Sequence, residues 1–165
     1  MAVSLPTFRK DSEPAIGGLL YESKASADLV AEFEKRGIKV ICSDAQVLFN
    51  DGEPGTSVYL VLSGEVRLVL PLTSGDGMVF VARSGSFVGL PAAFSHQPYS
   101  MTAIANEGAK VAVMSRDKFC DLIATSSMLS LDVLRILAAE TRSARIAIVE
   151  AGFGRRSHAG SSSLD

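Results

Sequence analysis

The chain has 165 residues, of which 47% are hydrophobic and 21% charged, and its formal net charge is −2 at pH 7. This composition is typical of a globular domain with a sizeable core and excludes a disordered chain. The slightly acidic balance argues against a nucleic-acid-binding protein, because such proteins usually carry a basic excess or a basic patch.

The cysteines and the apolar stretches indicate a cytoplasmic protein. Cys42 and Cys120 form no CxxC motif, so we expect two core thiols in a reducing compartment and no zinc or dithiol redox site. The N-terminus lacks the apolar segment of a secretory signal. The most apolar stretch, residues 58–72, is interrupted by Glu65 and Arg67, which argues against a membrane span.

The N-terminal part of the chain predicts an arm followed by a helix. Residues 1–20 are polar and contain the pair Gly17–Gly18, which is typical of a mobile arm. A helix is then expected, with Ser26 as its N-cap and Gly37 at its end.

Short β-strands separated by glycine turns are predicted for residues 38–115. The segments "IKVIC", "QVLFN", "SVYLVLSGEVRLVL", "MVFVARS", "YSMTAIA" and "KVAVMS" are rich in β-branched and apolar residues, and "DGEPG", "SGDG" and "NEG" are turn sequences. No alternation of strands and helices is visible, so a closed antiparallel roll or sandwich is favoured over a parallel sheet.

The C-terminal part reads as two helices and a tail. Ser115 is a plausible N-cap for the first helix. The second covers residues 127–152, is expected to stop at Gly152 and Gly154, and precedes a flexible tail, residues 153–165. Five of its positions are separated by alternating steps of three and four residues, as in a helix-pairing seam: Leu134, Leu137, Thr141, Ala144 and Ile148. This seam predicts either a homodimer or packing against the domain itself.

Three segments resemble the cyclic-nucleotide-binding domain of the catabolite activator protein superfamily. They are "VLFNDGEPGTSVYLVLSGEVRL", "GSFVGLPAAFSHQPYSMTAIA" and "VAVMSRDKFCDLI", which contain the turn Asp51–Gly55, Tyr59 and the corner Ser63–Gly64 at the positions where the family has them. The resemblance implies a mainly β fold, a jelly-roll β-roll over residues 21–126, with flanking helices and a long C-terminal helix that pairs in dimers.

The second segment resembles the family's phosphate-binding cassette without its charged anchors. The family's Glu, which binds the ribose hydroxyl, falls on Leu90, and its Arg, which pairs with the cyclic phosphate, falls on Tyr99. The ligand-binding residues that the resemblance implies are Val88, Gly89, Leu90, Pro91, Ala92, Tyr99, Ser100, Met101 and Thr102. Losing two charge-assisted contacts removes about 3–6 kcal/mol, or roughly a hundredfold to ten-thousandfold in affinity, so cyclic nucleotide is a doubtful ligand.

Two interpretations of this cassette remain open. Leu90 and Tyr99 could supply an apolar wall and a flat face in a pocket for an uncharged or aromatic small ligand. Alternatively, the pocket is filled and the module is an interaction scaffold for a protein partner. In both cases we expect a non-enzymatic regulatory or sensor module.

Enzymatic and cofactor-binding alternatives find little support. A cupin-type metalloenzyme needs clustered ligands, but His96 is the only histidine among the predicted strands and loops. Two cysteines are too few for an iron–sulfur cluster, and His96 alone would have to serve as a haem ligand. The family's transcription factors continue into a helix-turn-helix domain, whereas this sequence continues into a short polar segment, so no direct DNA binding is expected.

Overall fold

The computed structural model describes residues 19–21, 24–72, 75 and 77–156, and it describes no side chains for 19, 20 and 150–156. In chain order the elements are β1 (Leu19–Leu20), α1 (Ala27–Arg36), β2 (Ile38–Ile41), β3 (Gln46–Phe49), β4 (Ser57–Ser63), β5 (Glu65–Pro71), β6 (Gly77–Arg83), β7 (Phe87–Val88), α2 (Leu90–Ser95), β8 (Thr102–Ala105), β9 (Lys110–Ser115), α3 (Arg116–Ala124) and α4 (Ser127–Arg156).

The strands form two sheets that face each other as a β-roll, which confirms the predicted fold. One sheet has the strand order β1-β6-β5-β8-β3 and the other has β2-β9-β4-β7. Every pairing is antiparallel except that of β1 with β6, where Leu19 lies opposite Phe80. The end of the expected arm is therefore a strand, and residues 1–18 of that arm lie outside the described part of the chain.

The domain has two apolar clusters, one on each side of the sheet that contains β4. Side chains alternate across a strand, so neighbouring residues Leu60 and Val61 face opposite clusters although both are fully buried. Leu60 belongs to the helical cluster, which lies against α1, α3 and α4. Val61 belongs to the roll cluster, which fills the space between the sheets.

Local signals begin α1 and α3 as predicted. The hydroxyl oxygen of Ser26 accepts a hydrogen bond from the backbone N–H of Leu29 at 3.2 Å, and that of Ser115 accepts one from Lys118 at 3.4 Å. Each bond satisfies an N–H group that the first helical turn leaves without a partner.

Helix α4 presents two neighbouring stripes, and only one of them lies against the domain. The inner stripe consists of Leu129, Val133, Ile136, Glu140, Ser143 and Ala147, all buried or half-buried. The outer stripe is the predicted seam, where Leu134 is 62% exposed and Ile148 is 71% exposed. Thr141 and Ala144 are also exposed, whereas Leu137 is half-buried and packs against the helical cluster.

The end of α4 differs from the prediction. The helix continues to Arg156 through Gly152 and Gly154, which we expected to stop it. Glycine inside a helix costs about 1 kcal/mol relative to alanine but keeps its backbone N–H, so it weakens a long helix without necessarily ending it. The rest of the predicted tail, residues 157–165, lies outside the described residues. No helix within the described ranges is long and apolar enough to cross a bilayer.

Candidate functional site

The predicted cassette lies at the end of the roll, between β7 and β8. Gly89 follows β7 with a left-handed backbone, φ +84°, and serves as the N-cap of the short helix α2. Pro91 lies in the first turn of this helix, where a missing N–H costs little. The helix ends at His96, which is also left-handed with φ +56°. Helix α2 is thus a short helix of six residues in the middle of the cassette.

Tyr99 is buried in the cassette, where its ring and its hydroxyl both contact the domain. Only 5% of the residue is exposed, and the ring stacks on Phe49 with centroids 3.7 Å apart and planes tilted by 15°. The hydroxyl donates to the backbone carbonyl of Ser57 at 2.7 Å and accepts from the Ser57 N–H at 3.0 Å. Both the apolar and the polar parts of Tyr99 therefore have partners within the domain.

The turn Asp51–Gly55 is bonded directly to the cassette. The N–H of Gly52 donates to the carbonyl of Tyr99 at 2.8 Å, and the N–H of Tyr99 donates to the carbonyl of Glu53 at 2.9 Å. A side chain on Gly55 would collide with Ala92, because an added Cβ would lie 2.7 Å from the Ala92 Cβ. Turn and cassette thus form one packed unit around Tyr99.

Leu90 and Tyr99 do not face the same space. Leu90 is fully buried in the helical cluster, where residues of α1, α3 and α4 also lie. Tyr99, Val88 and Ala92 belong to the roll cluster. The interpretation of Leu90 as the apolar wall of a pocket shared with Tyr99 is therefore wrong, because the first turn of α2 directs Leu90 to the opposite side of the sheet.

The remaining predicted ligand residues differ in their exposure to solvent. Pro91 and Ser100 are exposed, and Met101 is half-buried against the roll cluster. Thr102 is half-buried, and its hydroxyl oxygen already accepts a hydrogen bond from the Asp51 N–H at 3.1 Å.

The electrostatics of the cassette do not favour an anion. Residues 87–103 contain no Lys or Arg. Burial raises the pKa of Tyr99; the hydrogen bond from the backbone of Ser57 opposes this rise, and the carboxylate of Glu53 adds to it. The Glu53 carboxylate is held in place by the N–H and the side-chain amide of Asn50, at 3.1 and 2.8 Å. The Glu53 carboxylate therefore places a negative charge near Tyr99, and the hydroxyl of Tyr99 stays protonated and neutral.

Sequence reasoning missed the partners that hold Tyr99. Phe49 stacks on it from β3, and Tyr59 extends the aromatic group, with its ring centroid 5.6 Å from that of Phe49. The hydroxyl of Tyr59 donates to the Leu48 carbonyl at 3.2 Å. The sequence signal that could have predicted these contacts is the presence of three aromatic residues, Phe49, Tyr59 and Tyr99, on segments that the family resemblance brings together.

His96 and the cysteines show no metal-site arrangement. His96 is exposed, Cys42 is buried and Cys120 is half-buried. Among the described residues no three His, Cys, Asp or Glu side chains form a group that could hold a metal ion.

Comparisons with known proteins agree with this fold. The chain is similar to the catabolite activator protein of Thermus thermophilus, with 21% identity and a TM-score of 0.67 over 78% of this chain and 61% of that protein. It is also similar to the c-di-GMP-responsive global regulator CLP of Xanthomonas campestris, with 20% identity and a TM-score of 0.60 over 83% of this chain and 66% of that protein. A protein of a cyclic-GMP-dependent signalling pathway in bacterial phytopathogenesis matches at 22% identity, with a TM-score of 0.63 over 72% of this chain and 95% of its own.

The chain thus spans about three fifths of the length of the catabolite activator protein that it matches. No curated protein shows significant sequence similarity to it. The family model described as "Cyclic nucleotide-binding domain" matches residues 40–126, which is just over half of the chain and includes the roll strands from β3 to β9 and helices α2 and α3. The chain therefore belongs to the cyclic nucleotide-binding domain family.

Proposed function

We propose that this protein is a non-catalytic, cytoplasmic regulatory module whose cassette is closed by Tyr99 and which acts through contacts of its helices. The observation that carries the proposal is the position of Tyr99, with its ring stacked on Phe49 and its hydroxyl bonded twice to Ser57. This side chain takes the place of the cation that holds the cyclic phosphate elsewhere in the family.

Opening this cassette would cost free energy before any ligand could bind. Two hydrogen bonds to Ser57 would be lost, at about 0.5–1.5 kcal/mol each, together with an aromatic stack of about 0.5–1.5 kcal/mol. The phosphate would then enter a space with no basic side chain in residues 87–103 and with the Glu53 carboxylate nearby. Both effects oppose cyclic nucleotides, so the scaffold interpretation is favoured over the ligand sensor.

Calorimetry with cAMP, cGMP and c-di-GMP tests the closed cassette. The wild type should stay at or below half-saturation at ligand concentrations of about 0.1 mM, since a loss of about 3–6 kcal/mol moves a micromolar affinity to the range of about 0.1–10 mM. Tyr99→Arg should bind cAMP or cGMP measurably better than Tyr99→Gln, because both changes remove the ring but only the first supplies a cation. Micromolar binding by the wild type would overturn the proposal.

We further propose that the outer stripe of α4 pairs with the same stripe of a second copy. Leu134 and Ile148 are largely exposed, and the small residues Thr141 and Ala144 between them would let two helices approach closely. A seam with steps of three and four residues suits a helix of the same kind on a second chain. An identical stripe on the partner makes the contact self-complementary.

Sedimentation of Leu134→Glu tests this dimer. Leu134 is a cleaner probe than Leu137, because Leu137 also packs against the helical cluster. Ile38→Glu is the matched control, since Ile38 on β2 is 69% exposed, close to the 62% of Leu134. We expect the wild type and Ile38→Glu to sediment as dimers and Leu134→Glu as a monomer. A wild type that is monomeric at high concentration would contradict the pairing.

A further inference from the structure

The inner stripe of α4 changes from apolar to partly polar side chains halfway along the helix. Leu129, Val133 and Ile136 are almost fully buried in the helical cluster, at 8%, 2% and 2% exposure. The next positions of the same stripe are Glu140, Ser143 and Ala147, of which Ala147 belongs to the roll cluster. A carboxyl group therefore occupies a core-facing position where the helix passes from the helical cluster to the roll.

The Glu140 carboxyl is shielded from water and only partly bonded. Its Oε1 atom is buried and has no hydrogen-bond partner. The Tyr21 hydroxyl donates to the carboxyl group. Burial raises the pKa of Glu140 from its ordinary 4.5 to about 7, and the bond from Tyr21 opposes that rise. Below pH 7 the Glu140 carboxyl group is therefore mainly protonated and uncharged.

No ion pair compensates the Glu140 carboxylate among the described residues. Tyr21, which follows β1, is the titratable group that contacts it, and the Tyr21 backbone N–H is bonded to the Val81 carbonyl of β6 at 3.1 Å. Burial raises the Glu140 pKa, and the bond from Tyr21 lowers it without cancelling the rise. Among the residues whose side chains are described, the other ionisable or charged groups on α1, α3, α4, β5 and β6 are Asp28, Glu32, Glu34, Lys35, Arg36, Arg116, Asp117, Lys118, Cys120, Asp121, Asp132, Arg135, Arg142, Arg145, Glu65, Arg67 and Arg83.

Within residues 140–149 of α4, whose side chains are described, only Ala147 is buried and only Glu140 and Ser143 are half-buried. The helices that pack against α4 are α1 and α3, and the inner-stripe residues in the helical cluster that they share end at Ile136. Beyond that point Glu140 bonds to Tyr21 and Ala147 enters the roll cluster, whereas Ile146 and Val149 are 49% and 54% exposed. A segment with few buried contacts opens at low free-energy cost.

We infer that Glu140 and Tyr21 form a proton-controlled latch that holds the C-terminal half of α4, residues 140–149, against the β-roll. With a neutral carboxyl group the half-helix docks. Ionisation places a negative charge on the Glu140 carboxylate, whose Oε1 atom is buried away from water. Undocking exposes this carboxylate to solvent and removes the free-energy cost of burying its charge. The latch does not depend on a ligand in the cassette, so its failure and the failure of the proposed function are distinguishable.

The direction of the pH effect follows from the two pKa values of Glu140. The docked pKa, about 7, lies above the undocked one, 4.5, so docking is strongest below pH 4.5 and weakens as the pH rises to 7. Above pH 7 the opening constant rises only about twofold further. Between pH 5 and pH 8 the opening constant of the half-helix should rise roughly 70-fold, most of it below pH 7.

Amide hydrogen exchange by NMR, corrected for the intrinsic pH dependence of exchange, measures this opening. Protection factors of amides in residues 140–149 should fall with pH in the wild type and stay flat in Glu140→Gln, which cannot ionise. In Tyr21→Phe the midpoint should move to higher pH, because the bond that lowers the Glu140 pKa is gone. Glu107→Gln, at an exposed residue of the turn before β9, is the control and should behave as the wild type does.

Two results of the exchange experiment would overturn the latch. One is a set of wild-type protection factors that does not change with pH, and the other is a pH dependence that persists in Glu140→Gln. A carboxyl ¹³C titration of the wild type provides an independent test that no destabilised variant can confound. A Glu140 midpoint near 4.5 in that titration would also refute the inference. A carboxyl group with the same pKa in the docked and undocked states does not make docking depend on pH.

Discussion

Replacing Tyr99 by phenylalanine isolates the polar part of the closed cassette. The ring and its stack on Phe49, with centroids 3.7 Å apart, are kept, and only the hydroxyl is removed. That hydroxyl makes two hydrogen bonds, of 2.7 and 3.0 Å, to the carbonyl and the N–H of Ser57 at the start of β4.

The expected cost follows from these bonds. Each contributes about 0.5–1.5 kcal/mol net, so the free energy of unfolding should fall by about 1–3 kcal/mol. Removing the ring as well, in Tyr99→Ala, should bring the total to at least the 3–5 kcal/mol that is typical of deleting a buried aromatic side chain. The order of stability is therefore wild type, then phenylalanine, then alanine.

Urea unfolding followed by circular dichroism measures the effect as a lower midpoint at constant m-value. Tyr59→Phe is the matched control, because its hydroxyl makes one longer bond, 3.2 Å, to the Leu48 carbonyl and should cost less. If Tyr99→Phe unfolds within about 0.5 kcal/mol of the wild type, the hydroxyl is not bonded to Ser57 as described. Tyr99 would then not close the cassette through its hydroxyl.

Three further predictions use the same assay. Leu90→Glu should destabilise the fold by about 4 kcal/mol or more, because it places a carboxyl group in the helical core at a fully buried position; a loss below 1 kcal/mol would mean that this side chain reaches water. Gly89→Ala should cost about 1–3 kcal/mol, since φ is +84° and the new Cβ would lie 2.9 Å from the Tyr99 ring; a neutral effect would show a relaxed turn. Burial raises the Tyr99 pKa above 10, so its stabilising contribution is present below pH 10 and is lost as the pH rises beyond it; Tyr99→Phe should therefore lose less stability in alkali than the wild type.

The roll and the helix starts were predictable because their signals are local. Alternating apolar residues between glycine turns favour short strands whatever surrounds them, and the caps Ser26 and Ser115 act within their own first turns. The loss of charge at Tyr99 and Leu90 was equally visible from the residues alone. Each of these signals depends on neighbours a few positions away in the chain.

The sequence did not predict which apolar cluster each side chain faces, because this depends on which helices and strands pack together in the folded domain. Leu90 and Tyr99 looked like two walls of one pocket, but α2 turns Leu90 into the helical cluster and leaves Tyr99 in the roll. The partners of Tyr99 come from β3 and from the backbone of β4, which are distant in sequence.

The same reason applies to α4, whose two stripes both step by three and four residues. Periodicity alone could not say which stripe meets the domain, because successive residues of a helix point about 100° apart and a small rotation exchanges the two faces. Contacts with α1 and α3 set that rotation, turning Leu134 outward and Glu140 inward. The chain's own pattern thus specified a long helix with apolar faces, and only the packing of the whole domain placed a carboxyl group inside it.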